Sequence, residues 1–264
     1  MFWKFIKFHL FPKEENICFF TQNAERVTTI ANMLADKKSK KTYLRMIKFR
    51  QTGRKKDFPS SYVEKVQYFI KELKFGKDEV FIDCGAFDGD TISGFLERCS
   101  EYKQIIAFEP DTNNFEKLKN KYENNPKITL FFAGAYDKEG EVLFLEQGTM
   151  PEKWQQGTSR IIDESHNEQT DIFSIQVKAI DNLDLEKVTF IKMDIEGAEL
   201  NALKGAEKTI LRDKPQMAIC IYHSDEDMIC IPEYIHNLVP EYKFYIRQHI
   251  ILSTSETVLY AIMP

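Results

Sequence analysis

Two short stretches hold the residues that could do chemistry. In "FIDCGAFDGDT" (81–91) an apolar run enters a turn holding Gly85 and Gly89. Such turns often cradle phosphate through backbone N–H groups at a helix start. This one carries Asp83, Asp88 and Asp90, and three carboxylates repel a phosphate. In "FIKMDIEGAELNALKGA" (190–206) a second apolar run delivers Asp194 and Glu196 to its end, with Gly197 opening the next helix. Two acids at such a rim suit a cofactor amino group, a metal ion or a substrate hydroxyl.

Glu109 closes "IIAFE" about 20 residues beyond Gly89, where an acid accepts hydrogen bonds from the ribose hydroxyls of a bound nucleoside. That points to an adenosine-type cofactor. NAD and S-adenosylmethionine (SAM) share the ribose and differ over the turn. NAD sets a doubly charged pyrophosphate there, SAM a sulfonium and an ammonium. At an effective dielectric near 20, one charge pair at about 4 Å is worth roughly 4 kcal/mol before desolvation. The sign of the turn therefore favours SAM. No Lys follows the turn, which removes the Walker A reading. Taken alone, the stretch also reads as an ordinary strand–turn–helix in which Asp90 or Thr91 caps the helix.

These residues need a scaffold. "EVFID" (79–83), "IIAFE" (105–109), "ITLFFAGA" (128–135) and "TFIKMD" (189–194) read as strands, with helical periods behind the first, second and fourth. That alternation predicts an α/β fold, a doubly wound and mostly parallel sheet with helices on both faces. "KFYIRQ" and "TVLYAI" have no helix between them and form an antiparallel C-terminal hairpin. Ligands of open α/β sheets lie past the carboxyl ends of the strands, where strand order reverses. Gly140 before "EVLFLE" predicts a hairpin excursion, and a helix runs from about Gly197 to Leu211. Ser61 with Glu64 makes a capping box that predicts a helix ended by Gly76. Helical periods at 23–35 and 41–50 make 1–60 an N-terminal helical extension and 61–264 the main domain.

The 264 residues carry a formal net charge of −5 and a sequence pI near 5.7, which argues against generic nucleic-acid binding. Lys and Arg are dense from Lys37 to Lys56, and such a run is more often a solvated helix face than a docking surface. Five scattered cysteines with no C-x-x-C read as reduced thiols in a cytoplasmic protein. No stretch reaches the roughly 18–20 apolar residues of a spanning helix. "MFWKFIKFHLF" has two readings, peripheral membrane contact through residues 1–12 and a segment docked on protein, of which the second is favoured. Oligomeric state is open.

The order "VFIDCGAFDGDT", "IIAFEPD", "VKAIDNL", "FIKMDIEGAELNALKGA" resembles the FkbM-type family of SAM-dependent methyltransferases, of the kind found with bacterial surface-glycan biosynthesis. The resemblance runs from about Tyr62 to Ile262 and includes the "ETVLYA" strand at 256–261. It implies a class I methyltransferase sheet, SAM as cofactor, and O-methylation of a small molecule or sugar. Asp83, Gly85 and Gly89 match the cofactor turn, to which Asp90 and Thr91 at the helix start are added. Glu109 matches the ribose acid, and Asp194, Glu196 and Gly197 match the motif after the strand. "AGAYD" places Ala135 and Tyr136 at the adenine. "GTSRI" places Ser159 and Arg160 in a loop near the substrate.

An alcohol acceptor must lose a proton, and general-base help is typically worth about 10²–10⁴-fold. His223 ends "MAICIYH" on the same rim as Asp194 and is the first candidate base and substrate contact. Asp194 is its rival. Asp194, Glu196, His223 and Asp225 are together a candidate Mg²⁺ set; the resemblance assigns no metal site. A catalytically silent SAM-binding scaffold and, further off, an NAD oxidoreductase are the competing functions.

Overall fold

The computed structural model describes residues 14–145, 160–162 and 172–264. Helices α1 (Glu14–Gln22), α2 (Ala24–Met33) and α3 (Lys37–Thr52) come first. Asp36 caps α3 by accepting the Ser39 N–H at 2.6 Å, and Gly53 ends it in the left-handed region. Tyr43, Met46, Ile47 and Phe49 are buried, while Lys37, Lys40, Lys41 and Lys48 are exposed. The basic run is thus largely the outer face of one helix.

The helix expected after Ser61 does not form. Ser60–Tyr62 is a single 3-10 turn, and no helix lies between it and Glu79. Glu64, which the capping box required, instead meets Lys38 at 2.5 Å and Arg247 at 2.9 Å. Val63 bridges to Gln248, and Tyr68 takes φ +62. Ile70 and Leu73 bury in the cluster around Phe81. The apolar residues that suggested a helix are buried by a strap laid across the sheet, so tertiary packing overrides the local signal.

Then come β1 (Glu79–Cys84), α4 (Asp90–Arg98), β2 (Tyr102–Phe108), α5 (Thr112–Tyr122) and β3 (Ile128–Phe131). "ITLFFAGA" is not one strand. Its end, β4 (Gly134–Ala135), leaves the main sheet to join β5 (Gly140–Leu145), β6 (Arg160–Ile162) and β7 (Ile172–Lys178). The expected hairpin excursion is, among the described residues, a second, four-stranded sheet, ordered β4-β7-β5-β6.

The chain returns through β8 (Phe190–Met193), α6 (Glu199–Lys204), α7 (Glu207–Asp213), β9 (Gln216–Cys220), α8 (Asp227–Leu238), β10 (Lys243–Gln248) and β11 (Thr257–Ile262). The single helix expected over 197–211 is two. Gly205 sits at the break, where a Cβ would lie 1.9 Å from the Tyr136 carbonyl oxygen. That close approach ties α6 to the entry of the second sheet.

Among the described residues the main sheet has seven strands, ordered β10-β11-β9-β8-β1-β2-β3. β9, β8, β1, β2 and β3 are parallel, and β10–β11 is the expected antiparallel hairpin. Along β1, Val80, Ile82 and Cys84 face a core shared with α2, α3 and α8, and Phe81 faces one shared with α4. This period-two alternation puts helices on both faces. Strand order reverses beside β1, between β2 and β8, and the rim of those three strands is where a ligand crevice is expected.

Candidate active site

β1 leads into a turn in which Gly85 (φ +77) and Ala86 both donate to the Phe108 carbonyl, at 3.0 and 2.9 Å. A Cβ on Gly85 would lie 1.9 Å from the Asp194 carbonyl oxygen. Only glycine therefore lets the turn after β1 and the loop after β8 close on each other. A cavity of about 260 Å³ opens over this junction, near the small end of ligand clefts.

The three acids of the turn take separate places. Asp83 pairs in register with Lys192 of β8, and Lys192 Nζ lies 3.1 Å from its Oδ1. Both side chains are buried, and the Asp83 oxygens accept no hydrogen bond. Lys192 gives its hydrogen bonds to the carbonyls of Cys84 (3.3 Å) and Gly85 (2.6 Å). Burial pushes the Asp83 carboxyl up to about 6 despite Lys192. Burial pulls Lys192 down, and the charges of Asp83 and Asp194 more than reverse that. Asp88 points outward to Lys121, at 3.5 Å. Asp90 lines the cavity with Thr91, and its Oδ1 accepts the Thr91 N–H at 2.7 Å.

Glu109 stands at the end of β2, buried, on the cavity wall. Its carboxylate accepts the N–H groups of Phe87 (2.8 Å) and Asp111 (2.9 Å). Burial outweighs those donors and pushes it up to about 7. The two N–H groups fix the carboxylate's orientation and leave lone pairs for a ligand.

The segment after β8 is the densest part of the site. Asp194 accepts the hydroxyls of Tyr68 (2.7 Å) and Tyr222 (3.1 Å). Burial raises it, but Lys192 and His223 hold it below the ordinary carboxylate range. Glu196 has φ +58. Glu199 is fully buried and accepts the N–H groups of Ile195 (2.8 Å) and Gly197 (3.0 Å). His223 Nε2 lies 3.4 Å from Asp194 and 3.2 Å from Glu196, and Nδ1 lies 3.0 Å from Glu199. Burial pulls this imidazole down, yet Glu199 and Glu196 raise it to about 11. Carboxylates at both ring nitrogens favour the protonated ring.

Gly85, Asp90, Thr91, Glu109, Ala135, Asp194 and Glu196 come together around the cavity. His223 backs Asp194 and Glu196 without lining it. Gly89 is set behind the turn, where a Cβ would meet Tyr122. The Tyr136 hydroxyl turns away to accept from Asn201 at 2.6 Å. Asp225 pairs with Arg50 at 2.7 Å and stands apart from the acid cluster. Arg160 begins β6. Ser159 and residues 1–12 lie outside the described residues.

Sequence reasoning missed Lys192, Tyr68, Phe87 and Glu256, all on the cavity wall. A lysine inside "FIKMD" was a readable sign of a buried charge. Tyr68 and Glu256 carried no local sign. Glu256 sits at φ +64, accepts from Gln67, and is pushed up to about 7, chiefly by burial.

The seven-strand order, the antiparallel β11 and the acid-rimmed crevice over β1, β2 and β8 define a class I methyltransferase fold. Residues 83–249 match the methyltransferase FkbM domain. The chain belongs to that family. The 2-O-methyltransferase NoeI of Sinorhizobium fredii is 24% identical over 176 residues, which cover 62% of this chain and 71% of that protein. The crystal structure of methyltransferase FkbM from Methylobacillus flagellatus superposes with a TM-score of 0.76 at 27% identity. That match covers 93% of this chain but 60% of the other, so the chain spans under two thirds of this relative. No helix among the described residues is long and apolar enough to cross a membrane.

Proposed function

We propose that this chain is a SAM-dependent O-methyltransferase acting on a hydroxyl of a small molecule, with a sugar as the favoured acceptor. The observation that carries the reading is the cavity's charge. Asp90, Glu109, Asp194, Glu196 and Glu256 line it against a single ammonium, Lys192, among the described residues. Such a wall attracts a sulfonium and an ammonium and repels a pyrophosphate. The relative NoeI, a 2-O-methyltransferase, supports oxygen as the acceptor atom.

SAM supplies a methyl group on a sulfonium leaving group. Glu109, oriented by Phe87 and Asp111, would accept hydrogen bonds from the ribose. Asp90 and Asp194 line the cavity where the cationic tail would lie, and Gly134 and Ala135 line it where the base would lie. Carboxylates face both ring nitrogens of His223 and favour its protonated form, which makes it a poor proton acceptor. Glu256 lines the same cavity and titrates near neutrality. It is the better proton acceptor for the sugar hydroxyl, because general bases work best near the operating pH.

Calorimetry with SAM, followed by methyl-labelled SAM and a panel of glycans, tests the reading. Binding of SAM with label transferred to a hydroxyl is expected. Binding without transfer to any acceptor would favour the silent scaffold, and tight NAD binding with no SAM signal would overturn the cofactor assignment.

A further inference from the structure

Asp194, Glu196 and His223 each present one donor atom, and the three atoms lie within 4.8 Å of one another. The Nε2 distances of 3.4 Å to Asp194 and 3.2 Å to Glu196 match the edges of a coordination shell. Ligands at about 2.0–2.2 Å from one ion stand about 3 to 3.5 Å apart in octahedral or tetrahedral geometry. The His223 side chain is only 10% exposed, yet neither ring nitrogen makes a hydrogen bond. A buried imidazole without hydrogen bonds, set between acids at shell-edge spacing, is arranged for an ion sitting between the donors.

The surroundings support the same geometry. Glu199 lies 3.0 Å from Nδ1 and is itself fixed by the N–H groups of Ile195 and Gly197. A carboxylate at that place can keep the proton on Nδ1 when an ion displaces the one on Nε2, the usual arrangement behind a metal-bound histidine. The Tyr68 and Tyr222 hydroxyls hold Asp194 in place. Charge leaves room for a cation, because three carboxylates surround one imidazole. Neither Arg50, committed to Asp225, nor Lys192, committed to Asp83, supplies it by direct contact.

We propose that Asp194, Glu196 and His223 bind a divalent transition-metal ion of the Mn²⁺ kind, with Glu199 as the positioning residue behind His223. One imidazole and two carboxylates suit Mn²⁺, Fe²⁺ or Zn²⁺ better than Mg²⁺, which favours all-oxygen shells and its own waters. Three protein ligands leave positions for water or another oxygen ligand. Asp194 and Glu196 line the cavity, so an open position would face the space where an acceptor enters. This last step rests on the methyltransferase reading. A bound ion would lower the acceptor hydroxyl's pKa, and the released proton would pass to Glu256 or solvent.

The test uses the full chain, stripped of metal and titrated with Mn²⁺, with SAM binding measured on the same sample. One Mn²⁺ per chain is expected, with a ¹⁴N modulation from a directly bound imidazole in pulsed electron paramagnetic resonance. His223→Gln should weaken Mn²⁺ at least about 100-fold, and Glu199→Gln about 10- to 100-fold. The ¹⁴N signal needs no variant, so it stands even where a variant fails to fold. Absence of Mn²⁺ binding at millimolar concentration, binding without the ¹⁴N signal, or preference for Mg²⁺ over Mn²⁺ would overturn the assignment. Mn²⁺ bound without SAM would instead sink the cofactor reading and leave the metal site standing.

Discussion

Lys192 Nζ lies 3.1 Å from Asp83 Oδ1, across two neighbouring parallel strands. The carboxylate that first marked the glycine turn is thus a support for it, since Lys192 also holds the Cys84 and Gly85 carbonyls. Removing one partner leaves the other charge buried and alone, which typically costs about 3–5 kcal/mol. Lys192→Met should lower stability by that amount in urea unfolding, and Asp83→Asn added to it should restore a large part. A single variant within about 1 kcal/mol of the parent would show that the pair does not support the turn.

Glu109 should make SAM binding depend on pH. Its carboxyl is pushed up to about 7, and ribose hydroxyls donate best to the ionised form. Affinity is then nearly full at pH 8 and falls about tenfold by pH 6, as the ionised fraction falls. Glu109→Gln should bind about 10- to 100-fold more weakly and lose that slope, because charge-assisted bonds are the stronger ones. Calorimetry from pH 6 to 8 reads both. An unchanged slope in the variant would assign the titration to another group.

Legibility followed the range of the interactions. The Gly85 turn, Glu109 and Asp194 sit at strand ends, so period and spacing alone put them on one rim. The helix expected from Ser61 and Glu64 failed because Glu64 is taken by Lys38 and Arg247, partners far away in sequence. Tyr68 and Glu256 reach the cavity only through that strap and the start of β11, which no local pattern encodes. Asp83 was visible as an acid, but its partner was not, because strand register with Lys192 appears only when β1 and β8 pair.

His249 gives an acid-side stability term. Its ring nitrogens lie 3.0 Å from the Glu64 carbonyl and 2.9 Å from the Tyr260 hydroxyl. Burial, helped by Arg247 and Lys38 and opposed by Glu64, lowers it to about 4. The folded value lies below the unfolded value of about 6.5, so the unfolded chain binds the extra proton. The contribution is full above pH 6.5 and lost as pH falls toward 4, by at most about 3 kcal/mol. The raised carboxyls Asp83, Glu109 and Glu256 oppose it in part of that window. The readout is therefore the difference between parent and His249→Gln in unfolding at pH 7 and pH 5. The parent should lose more than the variant, and equal losses would exclude His249.

Arg247 ties the N-terminal helices to the sheet. Only 2% exposed, it meets Asp36 at 2.7 Å, Glu64 at 2.9 Å and Glu72 at 3.2 Å, and donates to Ser39 Oγ at 2.6 Å. Asp36 also caps α3, so the same carboxylate starts the helix and anchors it to β10. Arg247→Met would leave the three acids without their shared cation, a loss of about 3–5 kcal/mol. Arg247→Lys keeps the charge but not the planar fork that reaches several acceptors at once, and should fall between. If the anchor works this way, limited proteolysis will cut within residues 24–60 of Arg247→Met before it cuts the sheet. Cleavage at the same rate and sites as in the parent would mean that the apolar contacts of Tyr43, Met46 and Phe49 hold α3 without it.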